Sequence, residues 1–549
     1  MTMLSCFKLK TAAVALAMAS VSLPVNSANI ALSNANLVNV EALNIRPNQT
    51  LLLQDDRIVA INPAAKAIPA GYQIVDLAGK YILPGLIDSH VHHATEPENY
   101  NNAAITRQRL QKQLRGGVTS VRDMAGDVRV LAGLKRSAQL GLIQAPDIYY
   151  AVILGGPEFF SDPRTAAAAK GETPGHTDWM RAVDSNTDFS ALMQRTLGTG
   201  ASGIKIYADV PAATLTQLAA AAKQAGVKVW SHAFIGPDKP SAVVAAGIEV
   251  ISHVPDLSAE VIPDYKAWRR KDATISEAVK TASFDSSNYH SLLRSIQQQG
   301  IVLDATLTVF EQQRNKGPNR ELMLQHGIFL TKLAVQYGIA IAAGTDAFDD
   351  GAALPELHHE LQLLVKLAGL TPAQALQAAT LNSAKAIGIE DEVGTIGEAK
   401  KANLLILHSN PFDDIRNSSD IAHVVKNGRF VYRGDDSTLP FSAARKAGGM
   451  LWLSGQLGNF PGTMTLAGTD IGSQMTQAMD NIMAVLQEHQ LTAKDVVKCT
   501  LLLADINDWA KASEIYKGYF SKALPARSAF AASGLALNAK VEVECSASL

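Results

Sequence analysis

The sequence predicts an α/β chain built around a (β/α)8 TIM-like barrel, and three observations carry that prediction. Eight short apolar, strand-like segments are spaced through the middle of the chain. Ala-rich helical stretches such as "TLTQLAAAAKQAG" separate several of them, as a parallel sheet requires. Hairpin-like texture flanks the middle on both sides, and a separate strand and helix pattern fills residues 440–549. At 549 residues, two or three domains are expected. A hydrophobic content of 47% with 18% charged residues is that of a globular protein. The net charge of −2, without a Lys/Arg stripe, gives no footprint for nucleic acid.

Taken in order, residues 1–28 read as a signal peptide. Lys8 and Lys10 precede the apolar "TAAVALAMASVSL", and small residues offer cleavage near Ser27 or Ala28. That core is too short for a bilayer, which needs roughly 20 apolar residues, and no other stretch suffices. The expectation is a periplasmic or secreted protein. Residues 29–80 and 390–435 are broken into short apolar runs by turn residues, as in "LLLQDDRIVAINP", and are expected to pair into one composite β-sandwich. Residues 81–389 hold the barrel strands "YILPGLIDSHV", "GVTSVRDM", "DIYYAVI", "GIKIYA", "VKVWSHA", "EVISHV", "IVLDATL" and "IAIAAGTDA". In residues 440–549, "IGSQMTQAMDNIMAVLQEHQ" and "WAKASEIYKGYFSKA" read as helices among strands, a compact α+β unit. Cys499 and Cys545 are too few for a disulfide scaffold and read as buried small apolar residues.

Barrel chemistry belongs at the C-terminal ends of strands. His90 and His92 close the first strand and, by alternation, share a face that His93 opposes. His232, His253 and Asp346 close three other strands, and Lys205 sits within "GIKIYA". Four histidines and an aspartate at one end of a barrel are the donors a borderline cation such as Zn²⁺ prefers.

The order of "DSHVHH", "GIKIY", "SHAF", "ISHV" and "GTDA" resembles the amidohydrolase superfamily. "GGVTSVRDMAG" and "LTPAQALQAATLNSAKAIGIEDEVGTIGEAKKANLLILHSNP" resemble its imidazolonepropionase-like and prolidase-like branch, over about residues 29–435. The resemblance implies two divalent metals, Zn²⁺ above all: His90, His92 and Asp346 on one, His232 and His253 on the other. Lys205 would bridge them as a carboxylated lysine. A mononuclear site of His90, His92, His232 and Asp346 is the alternative. It further implies hydrolysis of a small amide, cyclic amide or dipeptide by metal-activated hydroxide, with Asp346 carrying the proton. A lactone or phosphotriester substrate is the rival. "GETPGHTDW" resembles a Gly-Gly-His segment with Pro174 in place of one glycine, which makes His176 a carbonyl-side candidate. Tyr207 shares a strand face with Lys205. Asn403 replaces an aspartate usual in the family, and "PEFFSDPRTAAAAKGETPG" reads as an insertion that shapes the pocket.

Residues 440–549 resemble the reactive-intermediate deaminase family (RidA, YjgF or L-PSP; a chorismate-mutase-like fold) through "SGQLG", "GTDIGSQMTQAMDNIMAVL", "PARSAF" and "VEVECSA". The resemblance implies trimers with clefts between subunits, and hydrolysis of 2-imino acids. Arg527 would clamp a carboxylate and Glu542 orient water. Phe441, Ser513 and Ala529 depart from the family pattern. A ligand-binding or trimerisation module without turnover therefore stands beside the deaminase reading, and either makes a homo-oligomer the expectation.

Overall fold

The computed structural model describes residues 29–94, 103–169, 171–269, 274–317, 319–348, 354–433, 441–460, 466–520 and 524–549. The expected signal peptide lies outside the described residues. Among the described residues, no helix is long and apolar enough to cross a membrane.

Eight parallel strands form the barrel in chain order: Leu86–Val91, Val118–Asp123, Asp147–Gly155, Gly203–Ile206, Lys228–His232, Val250–Ser252, Val302–Asp304 and Ile341–Ala342. Each overlaps one of the eight segments read from the sequence; seven lie wholly within theirs, and the third runs two residues past "DIYYAVI", through Leu154 and Gly155. Hydrogen bonds from Ser89 N to Ala343 O (3.1 Å) and from Asp346 N to His90 O (2.8 Å) bring the last strand back against the first. The second strand, "VTSVRD", is buried at every position, as expected when both faces of a parallel strand are covered. A charged residue there needs partners, and Arg122 has them. Its guanidinium donates to the Ser89 and Ala386 carbonyls and to Asp304, and lies 4.8 Å from the Trp230 ring.

Strands from both flanks of the barrel hydrogen-bond into a second sheet. Its order runs Arg429–Arg433, Ile421–Lys426, Leu404–Leu407, Tyr81–Pro84, Ile30–Asn39, Asn44–Gln54 and Arg57–Pro63, with Gln73–Asp76 also on Ile30–Asn39. The segment "YILPGLIDSHV" is therefore two strands. Tyr81–Pro84 pairs with Leu404–Leu407, and Leu86–Val91 begins the barrel. Asn403, at the "KAN" departure, accepts the Asn427 N–H at 2.8 Å. Asp147 ties this sheet to the barrel through Lys426 at 2.8 Å and Lys401 at 3.6 Å.

The C-terminal sheet runs Ala444–Ala447, Met450–Leu453, Val541–Ser548, Val496–Leu503 and Ala526–Ala531, with Gln456–Leu457 on Val541–Ser548. Helices Ile471–Glu488 and Trp509–Lys517 pack on one face, where Met475 and Ile482 of the first share a core with Leu501 and Val543 of the sheet. The strand Ala526–Ala531 carries only a weak period-2 signal and is set by its parallel pairing with Val496–Leu503. One expectation is corrected here. Cys499 and Cys545 are not separate thiols but a disulfide, because the antiparallel register sets them directly opposite one another.

Candidate metal centre

The strand carrying the histidine motif ends at Val91, so the alternation of faces stops before His92. His90 is fully buried, and His92 and His93 both line the cavity above the barrel. His93 therefore does not turn to the barrel's other side. Lys205 is fully buried in Gly203–Ile206, His232 ends its strand, and His253 follows Val250–Ser252. Asp346 follows the eighth strand after Gly344. A Cβ at Gly344 would stand 2.4 Å from Asp304 Oδ1 and 2.5 Å from the His90 Cβ, so only glycine lets these strands close up. His253, Thr306 and Asp346 all adopt left-handed φ values, of 67°, 54° and 47°. Strain held by non-glycine residues concentrates at functional sites.

Asp346 Oδ1 lies 2.9 Å from His92 Nε2 and 3.9 Å from His90 Nε2, and Oδ2 lies 3.8 Å from His253 Nδ1. Ring centres of His90 and His253 are 4.9 Å apart, and those of His232 and His253 4.7 Å. His90, His92 and Asp346 present donor atoms all within 4.8 Å of one another, a group that could hold a metal ion. Asp304 Oδ2 takes His90 Nδ1 at 2.8 Å, which leaves His90 Nε2 buried without a hydrogen-bond partner. Lys205 Nζ is likewise buried without one. Imidazole nitrogens, a carboxylate and the orphaned His90 Nε2 fit a divalent cation.

Burial lowers the His90 pKa to about 4 and those of His232 and His253 well below the usual range, the Lys205 charge adding to all three. These rings are neutral at neutral pH, the state in which imidazole binds metals. Burial alone would raise Asp346, but the facing His90 and His92 bring it down to about 2. Burial, with Arg122 nearby, lowers Lys205 to about 7.

Sequence reasoning passed over Asp304, the fully buried carboxylate that orients His90 and also accepts from Arg122, Ser89 and Ser252. Its signal was an acid inside the apolar run "IVLDATL", a residue type that is seldom fully buried unless paired. Thr306, whose hydroxyl is 2.9 Å from His253 Nδ1, was also passed over.

The cavity holds about 1110 Å³. Tyr207 lines it, stacked on Phe159 at 5.2 Å and edge-on to His232 at 4.7 Å. The segment read as an insertion forms a 3-10 turn, Pro157–Ser161, and a helix, Pro163–Ala169, that supply part of the wall. His176 does not reach it. Its loop folds back in a bridge to Arg181, leaving the histidine exposed.

In the C-terminal unit, Arg527 lies on the helix side. It donates to the Ser513 hydroxyl at 2.9 Å and lies 5.2 Å from the Tyr516 ring. Glu542 alternates with the core residues Val541 and Val543 and so points to the opposite face. One chain does not bring these two candidates together.

Comparisons with known proteins agree with both halves. The amidohydrolase family model matches residues 81–431, and the model described as Endoribonuclease L-PSP matches residues 435–549. Reactive Intermediate Deaminase A, chloroplastic, of Arabidopsis thaliana is 39% identical over 110 residues, 20% of this chain. The chain spans only 59% of that relative's length. The 2-iminobutanoate/2-iminopropanoate deaminase of Bos taurus is 36% identical over 105 residues, 19% of this chain and 77% of its own. Among solved structures, a candidate prolidase from Bifidobacterium longum superposes with a TM-score of 0.56 at 25% identity, over 74% of this chain and 95% of its own. A Xaa-Pro dipeptidase shares the fold at a TM-score of 0.58 and 20% identity, over 74% and 100%. The chain therefore belongs to the amidohydrolase family, and its C-terminal residues 435–549 to the reactive-intermediate deaminase (L-PSP) family.

Proposed function

We propose that the protein is an exported, metal-dependent hydrolase of C–N bonds in small amides, cyclic amides or dipeptides. His90, His92 and Asp346 would hold one cation and His232 with His253 a second, with Lys205 bridging them after carboxylation by CO₂. The observation that carries this reading is the buried, unpartnered Lys205 Nζ inside a group of histidines and Asp346. An ammonium there repels cations, whereas a carbamate on the same atom is an anionic ligand. When bound, the metals supply Lewis acidity toward the scissile carbonyl and activate water.

The remaining work falls to the chain. Asp304 holds His90 with Nε2 inward. Asp346 would take the proton of the attacking water on a carboxylate oxygen and deliver it to the leaving nitrogen. Tyr207 and Phe159 form an apolar wall that limits water. Names of structural relatives, including a Xaa-Pro dipeptidase and a phenylurea hydrolase, support a C–N bond as target. For the C-terminal unit we propose imine or enamine hydrolysis, or assembly into a homotrimer, with Arg527 and Glu542 meeting across subunits. The Cys499–Cys545 disulfide supports an oxidising compartment.

Metal analysis of the purified protein tests the first part, together with ¹³C-bicarbonate labelling of Lys205. Two metals and a labelled carbamate are expected. Absence of bound metal, or full amidase activity in His90→Ala with His92→Ala, rejects the reading. Turnover of lactones or phosphotriesters but no amide would redirect it.

A further inference from the structure

Glu360 is a fully buried acid on the helix Leu357–Lys366, and no ion pair offsets it among the described residues. Such a group is costly to bury unless its oxygens are well used. Here they serve one turn. Oε1 accepts the Leu307 N–H at 3.0 Å, and Oε2 accepts the Thr308 N–H and the Thr308 hydroxyl, each at 2.7 Å.

Leu307 and Thr308 open the helix Leu307–Gln313, where N–H groups have no partner within the helix itself. A threonine at the N-cap ordinarily supplies one from its own hydroxyl. Thr306 holds that N-cap position and makes no such bond. Its hydroxyl lies 2.9 Å from His253 Nδ1 instead. Its φ of 54° is unfavourable for a β-branched residue, so the turn must be held from outside. Two neighbours hold it close to His253. The His253 N–H donates to the Asp304 carbonyl at 3.0 Å. On the helix Arg320–Gln336, a Cβ at Gly327 would stand 2.8 Å from Pro255 Cγ and 3.0 Å from Leu307 Cδ2.

We propose that Glu360 is a positioning residue for the second cation. It caps the helix Leu307–Gln313 in place of Thr306, and so frees the Thr306 hydroxyl to hold His253 by Nδ1, with Nε2 left for the metal. This rests on the two-metal reading, and it gives the two cations separate supports. His90 is held by Asp304, which Arg122, Ser89 and Ser252 pin without help from the turn. His253 is held through Thr306 and therefore through Glu360. Without the carboxylate, an unmet N–H at the helix start competes with His253 for the Thr306 hydroxyl.

The test is a chelator competition on the purified full chain loaded with Zn²⁺, which reads each cation's affinity without turnover. Thr306→Val should weaken one of two cations by roughly 10–100-fold, as loss of a partner behind a metal ligand does. Glu360→Gln keeps the shape and loses one acceptor. It should weaken the same cation by a similar factor and leave the other within about twofold. The double variant should bind no more weakly than Thr306→Val alone, because the carboxylate acts through that hydroxyl; a merely structural role would add a second loss. Thr306→Ser keeps the hydroxyl and should keep the affinity. Additive losses, or wild-type affinity in Glu360→Gln, overturn the assignment. Should Glu360→Gln fail to fold, Thr308→Val takes its place, since it removes one donor to Glu360 and spares both backbone bonds. A smaller loss at the same cation is expected, and wild-type affinity there overturns the assignment. A chain that binds a single cation, untouched by Thr306→Val, overturns it too and leaves the hydrolase reading standing. A chain that binds none rejects the hydrolase reading itself.

Discussion

The barrel and the C-terminal unit treat their candidate residues in opposite ways. In the barrel, His90, His92, Lys205, His232, His253 and Asp346 come from five strands and converge, because a closed ring of parallel strands aims every C-terminal end at one axis. In the C-terminal unit, Arg527 faces the helices and Glu542 the open side of the same sheet. An open sheet cannot bring its two faces together, so a site using both needs a second copy of the chain. Closure lets one chain build a site, and an open sheet leaves the site to assembly.

Breaking the barrel centre should have the largest effect. Lys205→Ala is expected to abolish hydrolysis and reduce bound metal, read by metal analysis and amide turnover, while imine hydrolysis by the C-terminal unit persists. Loss of both activities would join the two sites that the fold keeps apart.

Next in size is Asp304→Asn. Losing the carboxylate that orients His90 should weaken metal affinity or activity by roughly 10–100-fold, measured by competition with a chelator. An unchanged affinity would remove Asp304 from the site.

The C-terminal side of the comparison is sharpened by Arg527→Ala. It should abolish any 2-imino acid hydrolysis and leave amide turnover and oligomer size unchanged. If no imino acid hydrolysis exists in the intact protein, size-exclusion chromatography decides whether the unit only assembles the chain.

The smallest effect concerns the contact between the two halves. Asp480, on the helix Ile471–Glu488, is buried near Arg107 and Arg115 of the barrel helix Ala103–Arg115 and accepts from the Tyr519 hydroxyl. Burial raises its pKa from 3.8 to about 6. The folded chain therefore holds this proton more tightly than the unfolded chain. Its contribution to stability is fully present below about pH 4 and is lost as pH rises through about 6, on the order of 3 kcal/mol at most. Asp480→Asn should raise the melting temperature at pH 8 by a few degrees and flatten its dependence between pH 4 and 6. A wild-type profile flat across that window would reject the shift.

Much of this was legible in the residues. The eight barrel strands were visible because parallel strands are buried on both faces and read as short apolar runs. The ligand candidates were visible because polar residues at the ends of such runs stand out. His176 misled because "GETPGH" offers a local pattern, whereas the bridge to Arg181 that turns it outward is a contact no short motif encodes. Asp304 was hidden inside a strand already assigned to packing.

The sequence by itself determined the barrel, the flanking strands, the C-terminal unit and the residues able to bind a cation. These follow from periodicity and residue chemistry, which are local. Tertiary structure decided which atoms are left without hydrogen-bond partners, as with Lys205 Nζ and His90 Nε2. It also decided that Cys499 faces Cys545 and that Arg527 and Glu542 point apart. Partnership and facing depend on strand register and closure, which join residues far apart in the chain.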